Sequence, residues 1–191
     1  MAFSVALICW PGTSARAGFI EVGASGNYRK SNIDVDAYDE SRSLTGSLAY
    51  YLNDASALEL SYTDGQSKRV ISESVPNGHV TNLFYTTAGL DFVYTFGAKE
   101  APLRPYLKAG AVYILSKRIV DQYRYSDGSL LPATTLEDAT GLAPSAGAGV
   151  KIALTNSLSL KIGVDGWSSR PLNHPPATVD WFGRAGLSLL F

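Results

Sequence analysis

The chain has 191 residues, 46% of them hydrophobic and only 17% charged, with 18 glycines and 11 tyrosines. That length fits a single domain, and a charged fraction below the roughly 25% usual in soluble domains argues against an ordinary cytosolic enzyme. The net charge of -1 removes the electrostatic footing that a nucleic-acid partner would need.

The first element in chain order is an apolar run, residues 2–10, "AFSVALICW". It is too short to span a bilayer as a helix, and the "TSARA" behind it sets Ala15 and Ala17 in the small-x-small arrangement of a signal-peptidase site. The pattern predicts a signal peptide over residues 1–17, cleaved after Ala17, and a mature domain over 18–191. No basic residue precedes the apolar run, so either the true start lies upstream or the signal is weak. The one cysteine, Cys9, follows the bulky Ile8, which does not suit a lipoprotein signal, and would leave with the peptide. The mature chain then has neither a disulfide nor thiol chemistry. Losing Arg16 takes its net charge to -2.

From there the chain is organised by a period of two. Ile20, Val22 and Ala24 alternate with Glu21, Gly23 and Ser25, and Leu44, Leu48, Tyr50 and Leu52 with Ser43, Thr45, Ser47 and Ala49. Leu58, Leu60 and Tyr62 oppose Glu59, Ser61 and Thr63, and Leu90, Phe92, Tyr94 and Phe96 oppose Asp91, Val93 and Thr95. Next, Leu107, Ala109, Ala111 and Tyr113 oppose Lys108 and Gly110, then Ala146, Ala148, Val150, Ile152 and Leu154 oppose Ser145, Gly147, Gly149 and Lys151. Leu158, Leu160, Ile162 and Val164 oppose Ser159, Lys161, Gly163 and Asp165. Finally, Trp181, Ala185, Leu187, Leu189 and Phe191 oppose Asp180, Arg184, Gly186 and Ser188. Eight strands with one greasy and one polar face are expected.

Such strands could close into a soluble barrel with the greasy face inward. The connections favour the opposite arrangement. Those at 53–56, 97–104 and 155–157 are short, whereas those at about 29–41, 65–80, 116–139 and 168–178 are long, and the two kinds alternate. That is the grammar of an up-and-down transmembrane barrel with short periplasmic turns and long extracellular loops. Tyr28, Tyr62, Phe84, Tyr113 and Trp181 fall near one set of strand ends, and Tyr50, Phe96 and Phe191 near the other, as two interfacial belts would.

The polar face then points into the lumen. It carries Glu21, Glu59, Asp91 and Asp165 against Lys108, Lys151, Lys161 and Arg184. An eight-stranded barrel is only wide enough to be filled by side chains, and unpaired charges there would be costly. Four acids and four bases therefore predict an ion-paired plug rather than a wide pore; a proton or small-ion path along them is the lesser alternative.

Four stretches bring a resemblance: "LNDASALELSYTDG" (52–65), "PLRPYLKAGAVY" (102–113), "SAGAGVKIALTNSLSLKIGVD" (145–165) and the ending "RAGLSLLF" (184–191). The mature sequence resembles the bacterial outer membrane β-barrel domain family, which includes the transmembrane part of outer membrane protein A and its small relatives. The resemblance implies location in the outer membrane, and insertion by its assembly machinery, which reads a C-terminal strand ending in an aromatic. Phe191 would be that signal. No peptidoglycan-binding domain like that of the longer relatives is expected after the last strand, and no cofactor is expected.

Some barrels of similar architecture remove acyl chains from lipid A with a Ser and a His on the lipid-facing surface. Here His79 and His174 both fall in expected loops, and Ser72 and Ser74 share a loop with His79 without the closely spaced pair on one strand face that such activation needs. Two histidines so far apart also make poor zinc ligands. Asp34, Asp36, Asp39 and Glu40 crowd one loop but lack the spacing of an EF-hand. No catalytic or metal site is expected. The basic residues Arg29 and Lys30, Lys68 and Arg69, Lys117 and Arg118, and Arg170 each follow an outward-running strand. They are candidates for binding lipopolysaccharide phosphates. The leading expectation is a monomeric structural or surface-interaction barrel whose partners are outer membrane lipids and lipopolysaccharide. A narrow channel for small solutes and a lipid A-modifying hydrolase are the alternatives.

Overall fold

The computed structural model describes residues 19–34, 37–71, 80–121, 123–124, 130–137, 140–168 and 179–191. Eight long strands make the wall: β1 (Ile20–Asp34), β2 (Ala37–Tyr51), β3 (Ser56–Ile71), β4 (Val80–Thr95), β5 (Leu103–Val120), and, after three short strands β6 (Tyr123–Arg124), β7 (Leu130–Leu131) and β8 (Thr134–Glu137), β9 (Gly141–Ala153), β10 (Leu158–Ser168) and β11 (Val179–Leu190). Each long strand pairs antiparallel with its neighbour, β4 pairs β5, β5 pairs β9, and β1 pairs β11, so the sheet closes. The seam runs from Glu21 opposite Leu190 to Gly26 opposite Ala185, and Phe191 and Ile20 exchange both backbone hydrogen bonds at its end.

The register fixes the barrel's dimensions. Following Cα partners once around from Leu103 passes Ile152, Leu160, Leu187, Ala24, Gly46, Tyr62 and Ala88, and returns to β5 at Tyr113, ten residues further on. Eight strands with a shear of that size tilt by about 40° and enclose a backbone cylinder of about 8 Å radius. Side chains alone fill that space.

Polarity is inverted relative to a soluble barrel. Tyr28, Leu44, Leu60, Leu90, Leu107, Trp181 and Phe191 are exposed on the outside, whereas Glu21, Glu59, Asp91, Lys108, Lys151 and Asp165 are buried inside. Along β4, the outward rings Phe84 and Phe96 are separated by about 30 Å of height at this tilt, which matches a hydrocarbon core. Among the described residues the outward face between those rings is uncharged except at its upper edge, where Asp64 stands one row below Phe84.

At one end the strands are joined by tight turns. Asn53 Oδ1 accepts hydrogen bonds from the Ala55 and Ser56 amides at 2.9 and 2.8 Å, Thr155 Oγ1 accepts from the Leu158 amide at 2.9 Å, and Gly97 takes φ 92°, which an L side chain resists. The first strand of the following hairpin starts earlier than expected: β5 begins at Leu103, inside the supposed turn 97–104.

The other end differs more from expectation. Strands run on into the supposed loops, β1 to Asp34, β2 from Ala37, β3 to Ile71, β4 from Val80 and β5 to Val120, and β8 continues the β5 ladder above β9. The hydrophobic alternation stops where lipid contact stops. The hydrogen-bonded ladder need not, because above the bilayer both faces of a strand can be polar.

Candidate functional site

The lumen holds one connected network. Glu21, 1% exposed, receives the Lys151 ammonium and the Tyr51 hydroxyl on Oε2, the latter at 2.8 Å, while its Oε1 faces Lys161 Nζ at 2.5 Å. Lys161 reaches on to Glu59 Oε2 at 3.2 Å, and Glu59 Oε1 faces Arg184 at 3.5 Å and Lys108 at 3.8 Å. Lys108 Nζ also contacts Asp91 at 3.3 Å and Asp165 at 3.1 Å, Arg184 Nε donates to Asp165 at 3.0 Å, and Ser145 Oγ donates to Asp91 at 2.5 Å. All eight charged residues read from the alternation thus meet in space.

Their arrangement is segregated. Glu21, Glu59 and Asp91 stand on β1, β3 and β4, with Glu59 and Asp91 directly opposite each other. Lys108, Lys151, Lys161 and Arg184 stand on β5, β9, β10 and β11, with Lys151 directly opposite Lys161. Like charges opposite one another destabilise an open sheet. Lys108 and Asp91 already meet across the adjacent strands β5 and β4, and closure, which sets Glu21 and Glu59 against Lys151, Lys161 and Arg184, neutralises the rest. Asp165 is the exception, an acid on the basic side, and Gly147 makes its contact possible. Gly147 is the register partner of both Lys108 and Asp165, and a Cβ there would come within 2.9 Å of Lys108 Cε and collide with the Asp165 carboxylate.

Sequence reasoning missed a ninth interior charge. Arg104 is 9% exposed, lies directly opposite Lys151, and its Nε has no hydrogen-bond partner. The alternation Arg104, Tyr106, Lys108 would have revealed it had the preceding turn been drawn shorter. Also missed was an apolar layer between the network and the far end, where Trp167 and Phe182 lie with ring centres 4.3 Å apart and planes inclined at 57°, and Trp167 meets Tyr85 edge-on at 6.2 Å, packed against buried Val112, Ile114 and Ala143. Between layer and network lies a cavity of about 30 Å³ bounded by Thr63, Asp91, Lys108, Trp167 and Arg184. It has room for about one water.

The expected phosphate-binding cations divide. Because successive strand residues face opposite ways, the members of a pair cannot both meet lipid. Lys68 points outward, while Arg69 points toward the mouth of the lumen and ion-pairs with Asp39 at 3.0 Å. Lys117 likewise points outward, and Arg118 lies on the other face. Arg29 and Lys30 lie on β1, but their side chains are outside the described residues, as is Arg170 altogether. Residues 1–18 with Cys9, and Ser72, Ser74, His79 and His174, are also outside them, and so are Asp36 and the Asp34 side chain.

A cation not anticipated, Arg42, shares an outward register row with Tyr28, Gln66, Phe84 and Lys117. That row and the one below it enclose a groove of about 570 Å³ on the outer surface. Among the described residues its lining comes from β2 to β5 and Thr140, with the outward side chains Arg42, Leu44, Asp64, Gln66, Thr86 and Lys117 prominent. Thr86 Oγ1 donates to Asp64 at 3.4 Å, and Gln66, with its amide turned to set the oxygen toward Arg42, accepts from the guanidinium at 2.6 Å.

Comparison with known proteins gives the following. The family model described as "Outer membrane protein beta-barrel domain" matches residues 2–170. No curated protein matches the chain. Among solved structures, the N-terminal barrel domain of OprF from Pseudomonas aeruginosa is similar at 22% identity and a TM-score of 0.53, covering 92% of this chain and 98% of that one. Neisserial surface protein A, NspA, is similar at 20% identity and 0.57, covering 92% and 98%. OprG from Pseudomonas aeruginosa is similar at 13% identity and 0.58, covering 93% and 97%. At these identities the likeness is one of fold.

Proposed function

The chain belongs to the outer membrane protein β-barrel domain family and resides in the bacterial outer membrane, and from that premise we propose that it is a side-chain-filled barrel serving a structural or surface-interaction role in contact with lipopolysaccharide. The observation that carries this reading is the set of outward cations at the upper edge of the apolar band, Arg42 and Lys117 in one register row and Lys68 one row above it. Outward cations at that depth suit phosphate oxygens by charge-assisted hydrogen bonds.

The filled interior supports the non-channel part of the reading, since the ion-paired layer and the aromatic layer lie one above the other in a cylinder of about 8 Å radius. Steady conductance in planar bilayers would overturn it. We propose a non-enzymatic role, because neither His79 nor His174 stands in the closely spaced His/Ser pair on one strand face that would activate a serine. Deacylated lipid A after incubation with the protein, read by mass spectrometry, would reverse that assignment.

Two processing steps belong to the same proposal. Signal peptidase releases residues 1–17, so the chain recovered from outer membranes has Gly18 as its first residue, which intact mass checks. Phe191, whose ring faces outward at the turn end while its backbone pairs with Ile20, presents the terminal aromatic to the assembly machinery. The test of lipopolysaccharide contact is thermal unfolding of the triple variant R42Q/K68Q/K117Q. Lipopolysaccharide in the micelles should raise the wild-type midpoint and leave the variant's unchanged. An equal rise in both would remove the reading.

A further inference from the structure

The groove on the outer surface has a more particular form than a ring of surface charge. Its two cations, Arg42 on β2 and Lys117 on β5, sit in one register row with Gln66 and Phe84 between them. Three strand spacings separate them, on the order of 14 Å between backbones. The positions between carry hydrogen-bonding groups rather than charge of the same sign: Gln66, Thr86 and the carboxylate of Asp64. Lys68, one row higher, faces Glu40 directly across the ladder.

Below the polar row the surface becomes apolar. Leu44 and Leu115 form the lower lip of the groove, and beneath them the outward positions Gly46 and Ala88 flank Tyr62. A Cβ added at Gly46 would meet nothing within 4 Å. A lane therefore opens between larger outward side chains toward the bilayer centre, in which hydrocarbon can lie.

We propose that this groove seats one molecule of the diphosphorylated diglucosamine lipid of lipopolysaccharide, reading its two phosphates at once. A diphosphorylated disaccharide carries a phosphate at each end, hydroxyl and amide groups between, and acyl chains on one side. The groove offers a cation at each end, neutral acceptors and donors plus one carboxylate between, and an apolar lane on one side. Arg42 takes one phosphate in the bidentate manner of a guanidinium, held in place by the Gln66 carbonyl, and Lys117 takes the other as a point charge. Asp64, already bonded by Thr86, accepts from a sugar hydroxyl or amide. A phospholipid with a single phosphate can engage only one end.

The proposal rests on the lipopolysaccharide reading above and narrows it to one site and two contacts. Native mass spectrometry of the full barrel released from detergent, with each variant first checked for heat-modifiable mobility, tests it with three probes: diphosphoryl lipid A, monophosphoryl lipid A and phosphatidylglycerol. The expected result is a single diphosphoryl lipid A adduct, with the monophosphoryl form and phosphatidylglycerol each about tenfold weaker, as the loss of one charge-assisted contact implies. R42Q and K117Q should each lower diphosphoryl binding to the monophosphoryl level and abolish the preference, while R69Q, on the other face, leaves both unchanged. Equal binding of the diphosphoryl and monophosphoryl forms by the wild type would overturn the two-phosphate reading. Loss confined to K68Q or R69Q would overturn the site but leave lipopolysaccharide contact standing, and no retention of lipid A by any form would overturn both.

Discussion

Replacing Glu21 by Gln removes the carboxylate that answers Lys151 and Lys161 from across the barrel seam. Those two ammonium groups stand on directly opposed positions, and Arg104 is directly opposite Lys151 on the other side, so three cations follow one another on a single rung. At a cross-strand spacing of about 5 Å and an effective dielectric near 20, one such pair repels by about 3 kcal/mol. Removing one partner of a buried pair costs about 3–5 kcal/mol in general, and the rung places this site at the upper end because Glu59, 3.2 Å from Lys161, is the remaining carboxylate in contact with these lysines. The assay is equilibrium urea unfolding in lipid vesicles, followed by tryptophan fluorescence and by heat-modifiable migration. E21Q should lose about 4 kcal/mol, and the double variant E21Q/K151M should recover at least half of it, because the repulsion and the orphaned charge leave together. A loss below about 1 kcal/mol in E21Q, or no recovery in the double variant, would refute the idea that seam closure is what neutralises the basic wall.

The same apparatus tests the surplus charge: R104M deletes a buried cation with an unpartnered Nε, and should be neutral or stabilising by about 1 kcal/mol, with a loss beyond about 2 kcal/mol showing that the guanidinium is compensated after all. G147V drives a side chain between Lys108 and Asp165, which lie 3.1 Å apart, and should cost about 2 kcal/mol or more, whereas unchanged stability would mean that the two strands part freely. F191A should keep the purified, refolded barrel within about 1 kcal/mol of wild type yet lower the folded fraction in cells, read as the heat-modifiable band in outer membranes; equal folded fractions would remove Phe191 from the assembly step.

Much of the site was legible because alternation is a local rule. Glu21, Glu59, Asp91, Lys108, Lys151, Lys161, Asp165 and Arg184 each sit in the middle of a run whose greasy neighbours declare which way they point. Arg104 was not legible because it stands beside Pro102 and Pro105, in a stretch that reads as a turn. Arg42 was hidden for a different reason: its strand continues past the last outward leucine, and polar residues on both faces look like a loop. The basic pairs illustrate the same limit, since adjacency in sequence suggested a shared patch that strand geometry divides between two faces.

A period of two, apolar on one face from Ile20 to Phe191, is enough to dictate strands, and eight of them with short and long connections in turn are enough to dictate a barrel in a membrane. These follow from covalent geometry and from the cost of leaving backbone groups unpaired in lipid. Partnership is another matter. That Lys151 faces Lys161 but is answered by Glu21, 130 residues away in the chain, depends on register and shear, and no local pattern contains them. The same holds for the groove, which exists only because four strands set Arg42, Asp64, Gln66, Thr86 and Lys117 side by side. Ion pairs and lipid seats are properties of distances through space, and closure of the sheet is what creates those distances.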